Sequence, residues 1–121
     1  MSKTALKLTA LLGVGQLSCA VWAAPVRDDS QATKLVLQSI VKNNLTRLKT
    51  ECLMFVPKDH GVQFEIDVRE NHNQHCGGDP DTAPRLMTYL VDKKTGALQS
   101  NAFELAERHH ATWSGQYYPV D

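Results

Sequence analysis

This 121-residue chain has no excess of charge of either sign, with 13 Lys and Arg against 13 Asp and Glu. A balanced surface carries no electrostatic footprint for DNA, RNA or anionic lipid, so nucleic acid is not expected as a partner. There are no repeats and no low-complexity tract, which leaves an ordinary folded domain. The apolar run near the N-terminus is too short for a comfortable membrane span, and none is expected in the mature protein. Cysteine is scarce as well, at three positions. That scarcity allows one disulfide at most, and it makes the fate of each thiol informative.

Lys3 and Lys7 precede the apolar stretch 8–15, and small or aliphatic side chains follow at Val21 and Ala23. This is the pattern of an export signal. Cleavage is expected after Ala23; cleavage after Ala24 would place Pro25 at the new terminus. Cys19 invites a lipoprotein reading, but Gln16 stands where that motif wants an aliphatic residue. Residues 1–23 are therefore read as a signal peptide and 24–121 as a single domain, periplasmic or secreted. The signal removes two lysines, leaving 11 basic against 13 acidic groups. Cys52 and Cys76 remain as the only thiols in an oxidising compartment, so they are expected to form a disulfide. A cross-link of this span stabilises a small domain by roughly 3 kcal/mol in the chain-entropy model. The competing role, a reactive thiol nucleophile, requires one of them to stay unpaired.

Asp28 with Gln31 three residues on has capping-box spacing, and a helix should follow. Leu37, Val41, Leu45 and Leu48 repeat at three or four, widened by Val36 and Ile40. Residues 52–56 read as a strand ended by Pro57. In the next stretch Val62, Phe64, Ile66 and Val68 alternate with Gln63, Glu65, Asp67 and Arg69, so one face is buried and the other wet. Residues 86–91 form a further strand, the turn 92–96 supplies Gly96 for a positive φ, and 97–100 is the hairpin partner. Asn101 and Glu104 have capping-box spacing for a short helix through about His110. The aromatic end, 113–120, either adds an edge strand or lies across the sheet. The expected fold class is α+β: one long N-terminal helix on an antiparallel meander of about four strands, one disulfide and a short C-terminal helix.

The richest chemistry lies in residues 72–85, HNQHCGGDPDTAPR. His72 and His75, with Asp79 or Asp81, are the candidate zinc ligands, nitrogen and oxygen donors of the type that metal accepts. Of His109 and His110 at most one could join them, since adjacent side chains on a helix diverge by about 100°. A calcium loop would need alternating ligands and a closing glutamate that are missing. Alternatively, Gly77 and Gly78 form an amide nest for a carboxylate or phosphate, with Arg85 completing the charge. The plainest reading is a rigid turn, in which the glycines permit reversal, Pro80 and Pro84 stiffen the chain and Cys76 ties it down. No nucleophile context surrounds Ser114, and Glu65 and Asp67 on a wet face lack the cleft that a catalytic carboxylate pair needs. Catalysis and a resident cofactor are accordingly not expected, zinc being the one exception.

Residues 89–98, YLVDKKTGAL, resemble the V-D-x-x-T-G-x-L strand-turn-strand of PepSY-type domains. These are small secreted helix-plus-sheet modules associated with peptidase inhibition. That pattern contains neither a disulfide nor the CGGDPDTAPR loop; the latter resembles a C-G-G-D-P-x-T-x-P-R stretch in small exported bacterial proteins of unassigned role. That second resemblance implies a shared fold only; the rigid loop on a small scaffold is what leads to the expectation of a noncatalytic binding module with a protein partner in the cell envelope, an inhibitor of a cell-wall hydrolase or peptidase being its specific form. Its expected surface comprises Gly77, Gly78, Asp79, Arg85 and the aromatics Trp113, Tyr117 and Tyr118. Core packing is an equal alternative for those aromatics. The second reading is a small-ligand or zinc carrier using the loop from His72 to Asp81.

Overall fold

A computed structural model describes residues 24–121; the export signal expected over 1–23 lies outside the described residues. Asp28 is extended (φ −144°), and its carboxylate accepts the Gln31 amide at 2.8 Å, opening helix α1, Asp29–Asn43. The Gln31 side chain reaches back one residue beyond the expected box, accepting the Arg27 amide at 2.8 Å. At the other end Asn44 turns into the left-handed region (φ 53°), a conformation Asn tolerates better than most residues. The Leu45 amide then donates to Ile40 O at 3.1 Å, which stops the helix in a Schellman-type turn.

The expectation of a long N-terminal helix on a four-strand meander is overturned. The helix has 15 residues, and the antiparallel sheet has five strands in sequential order. The strands are β1 (Leu53–Asp59), β2 (Gln63–Glu70), β3 (Arg85–Asp92), β4 (Leu98–Ser100) and β5 (Tyr118–Val120), with a short helix α2 (Phe103–Arg108) between the last two. The apolar stripe was also misphased. Ala32, Val36, Ser39 and Ile40 face the sheet, whereas Val41 is 55% exposed, and Leu45 reaches the core from beyond the helix. Two overlapping apolar repeats run through this segment, and the reversal at Asn44 selects between them.

The fifth strand comes from the aromatic tail, with Tyr118 opposite Ser100 and Val120 opposite Leu98. The capping box expected at Asn101 does not form, because the Asn101 side-chain carbonyl accepts the Thr88 amide at 2.7 Å instead. Ala102 precedes α2 with no side-chain cap. In the β3–β4 turn, Asp92 accepts the Lys94 and Thr95 amides, both at 2.9 Å, and Gly96 takes φ +72°. These bonds, those from Thr95 foremost, hold the Asp92 carboxyl below its usual range. Among the described residues no helix is long and apolar enough to cross a membrane.

Both helices bury their apolar sides in one cluster. Val36, Ile40, Leu45 and Leu105 meet Phe64, Ile66 and Val68 of β2 and Met87, Tyr89 and Val91 of β3. Full burial of such side chains is worth about 1.5–3 kcal/mol each, the main term holding this layer pair. Tyr89 is wholly buried, and its hydroxyl meets Ser39 Oγ at 2.9 Å. Burial disfavours the phenolate and pushes the Tyr89 pKa up to about 12, with the Ser39 bond opposing the shift. Since the unfolded side chain ionises near pH 10, this contribution is complete below that pH and fades as pH rises toward the folded value. Tyr89→Phe should therefore destabilise the protein by about 1 kcal/mol at neutral pH. In urea unfolding, the gap between the two proteins should shrink above about pH 10; a pH-independent gap would contradict the burial account.

Candidate binding surface: the stapled loop and the open sheet face

The loop of residues 71–84 joins β2 to β3. The Cys52–Cys76 disulfide, spanning 24 residues with Cα atoms 5.6 Å apart, ties its middle to the start of β1. Two more ties run beside the sulfurs. The Asn71 amide donates to Cys52 O at 2.8 Å, and His75 Nε2 lies 2.9 Å from Glu51 Oε1. At the exit, Arg69 donates to Ala83 O at 2.8 Å and the Glu70 amide to Pro84 O at 2.9 Å.

Within the loop, Asn73 Oδ1 accepts the amides of His75 (2.9 Å) and Cys76 (2.7 Å), and Asn73 O accepts that of Gly77 (2.8 Å). A second turn forms around Asp79. Its carboxylate accepts the Asp81 amide, and its carbonyl accepts the Thr82 amide, the Thr82 hydroxyl and His72 Nδ1–H, the last at 2.7 Å. Because a carbonyl can only accept, Nδ1 is the protonated nitrogen of that ring. Gly78 lies against the same imidazole: a Cβ there would come within 2.6 Å of it, and its φ of +85° is one L side chains resist. The loop thus has internal partners for much of its backbone, while residues 73–75 and 77–82 stay exposed.

This geometry separates the proposed metal ligands. His72 bonds the Asp79 carbonyl, His75 turns to Glu51, and the Asp79 carboxylate faces the Asp81 amide. Among the described residues no group of three or more His, Cys, Asp and Glu is placed to hold a metal ion, so His72, His75 and Asp79 do not assemble as zinc ligands. Spacing by three converges side chains on a helix, and residues 73–77 instead close a turn. The amide nest fares similarly. Gly77 and Gly78 both take positive φ rather than alternating hand, and the Gly77 amide is already bonded to Asn73.

Arg85 does not turn to the glycines. Its Nη2 donates to Asp67 Oδ2 at 2.9 Å on the sheet face opposite the helices. There Asp67 pairs with Thr88 across β2–β3 and with Val56 across β1–β2. Asp67 is 4% exposed, which corrects the reading of this face as uniformly wet. Arg69 Nη2 reaches the same oxygen at 3.5 Å, and Thr88 donates to Oδ1 at 3.1 Å. Period two placed Asp67 and Arg69 together, but Thr88 and Arg85 join them only through strand register, which the sequence does not state. Glu65 stands beside this cluster, facing Lys58 at 3.9 Å and His60 at 3.4 Å.

The aromatic tail divides between two roles. Tyr118 packs against the core and stacks on His109 with ring centroids 4.3 Å apart. Tyr117 alternates to the open face. Burial raises its hydroxyl pKa and the carboxylates of Glu65 and Asp67 add to the rise, against bonding to Thr88 and the charge of Arg85. Trp113 is 51% exposed, its indole fixed by donation to Asn101 O at 2.8 Å. Elsewhere a solvent-open groove of about 450 Å³ runs between α1 and the β4–β5 edge, lined by Leu35, Gln38, Lys42, Gly96 and Val120.

No protein-family model, curated protein or solved structure compared with this chain matches it. The loop geometry carries a test of its own. Gly78→Ala should cost about 2 kcal/mol or more, combining the left-handed penalty with the clash against His72. In a His72→Ala background only the backbone penalty remains, so the same substitution should cost about 1 kcal/mol. Additive effects in chemical denaturation would show that the imidazole does not rest on Gly78.

Proposed function

We propose that the protein is a noncatalytic exported module that binds another protein of the cell envelope, in the periplasm or outside the cell. The observation that carries this reading is the order of an exposed loop: residues 71–84 are fixed at the middle by Cys52–Cys76 and at the exit by Arg69, yet their outer side is free. A loop ordered before binding loses little conformational freedom on contact, which favours recognition. The balanced charge of the chain favours a protein over a nucleic acid as the partner. Inhibition of a cell-wall hydrolase or peptidase is the specific form we favour, through the likeness of residues 89–98 to PepSY-type modules.

The binding surface comprises the loop tip, with Gly77, Gly78 and Asp79, and the adjoining open face with Arg85, Tyr117 and Trp113. Tyr118 is assigned to packing. Affinity capture from a cell-envelope extract of the source organism, identified by mass spectrometry, tests the reading. The native protein should retain a stable protein partner, and a variant with Pro80, Asp81 and Thr82 replaced by glycine and serine, disulfide intact, should retain at least tenfold less, as loss of a binding hot spot implies. A variant that folds and captures as well as the native protein would contradict it, as would a native protein that retains nothing.

A further inference from the structure

The open sheet face carries a charge arrangement that the fold alone does not require. Arg69 and Arg85 are register partners on β2 and β3, placing two guanidiniums across from one another beside a bulge at Val68 and Arg69. Like charges directly opposite in a sheet destabilise the pairing. One buried carboxylate, Asp67, sits between them and offers both the same oxygen, Oδ2, while Thr88 occupies Oδ1. Asp67 balances one of the two positive charges. Across the face as a whole Lys58, Arg69 and Arg85 stand against Glu65, Asp67 and Asp92, but Glu65 faces Lys58 and His60 and Asp92 holds the turn amides at the far end of β3, so the positive excess is local to the two arginines.

The excess positive charge is accessible. The Arg85 side chain is 53% exposed and that of Arg69 31%, against 5% for Asp67. A guanidinium has more N–H donors than either arginine engages here: Arg85 bonds Asp67, and Arg69 reaches Asp67 and the Ala83 carbonyl. The buried carboxylate fixes the forks from behind, an arrangement suited to planar, charge-assisted recognition of a second carboxylate in front. The neighbours on the same face are apolar or aromatic: Met54 opposite Arg69, Leu90 opposite Glu65 and Tyr117 are half-buried, and Val56 opposite Asp67 is exposed.

We infer that Arg69 and Arg85 form a carboxylate clamp, with Tyr117 beside it, for an acidic side chain of a partner polypeptide whose flanking residues are apolar. This rests on the binding-module reading and deepens it by naming the chemistry of the bound segment. A partner that presents Asp or Glu between aliphatic residues matches both the excess charge and the apolar surround.

Titration of the isotope-labelled protein with the peptide acetyl-Val-Glu-Val-Glu-Val-amide, followed by NMR, tests the clamp. Signals of Asp67, Arg69, Thr88 and Arg85 should move, binding should weaken as salt rises, and the glutamine counterpart should bind at least about tenfold more weakly. Arg85→Gln should also weaken binding at least about tenfold. Because that change leaves Asp67 to neutralise Arg69, the double variant Asp67→Asn with Arg85→Gln removes both charges, keeps a polar partner for Thr88 and leaves Arg69 as a lone cation; it should bind more tightly than the single variant but more weakly than the native protein, since half of the clamp is gone. Equal binding of the glutamate and glutamine peptides, shifts confined to another surface, native affinity in either variant, or no binding at millimolar peptide would each overturn the clamp. If an envelope partner is captured by the native protein and equally by Arg85→Gln, the clamp falls while the binding-module reading stands; if nothing is captured, that reading falls whatever the peptide does.

Discussion

Cys52 and Cys76 join two parts of the chain that the backbone alone would hold loosely, the start of an edge strand and the crest of a glycine-containing loop. The shape of the exposed loop follows from that tie. With the crest pinned, the short bonds of Asn73 and Asp79 need only shape two tight turns, and the His72 ring can lie on Gly78. Without it, the middle of the loop joining β2 to β3 would be held toward β1 only by the exposed His75–Glu51 contact, and its backbone order would compete with the conformational entropy of every residue between its ends.

The sheet separates two kinds of chemistry. Its inner face is a conventional apolar layer under α1 and α2, with Ser39 and Tyr89 as a satisfied buried polar pair. Its outer face has no helical cover among the described residues and is organised by charge, with Asp67 buried between two arginines. Arg69 links these regions physically: it reaches Asp67 on the sheet and the Ala83 carbonyl at the loop exit. Loop and outer face therefore form one continuous surface, and a partner engaging both would meet acidic groups at the loop, Asp79 and Asp81, beside basic groups on the sheet.

Local signals were readable where one interaction decides the outcome. Asp28 begins α1, the alternation through Phe64, Ile66 and Val68 sets the buried face of β2, and Gly96 takes the positive φ its turn needs. The same kind of signal failed where two local options competed. Asn44 ended the helix inside an apolar repeat that would otherwise have continued, and Asn101 bonded Thr88 instead of capping α2. The disulfide followed from thiol count and expected compartment. The site was only half readable: a period of two places Asp67 and Arg69 on one face, but the approach of Arg85 and Thr88 is a property of register and a bulge, and both depend on contacts distant in sequence. The histidines of the loop illustrate the reverse error, since composition grouped residues that the turns then aimed apart.

The exposed loop is ordered before any partner arrives, and the cross-link keeps it so. Backbone ¹⁵N relaxation on the isolated protein addresses this directly. In the oxidised protein, the amides of residues 72–82 should give order parameters close to the rigid-backbone value of about 0.85, matching β2 and β3, and reduction should drop them below about 0.6 while the strands stay rigid. Low order parameters in the oxidised protein, or values unchanged by reduction, would contradict the account.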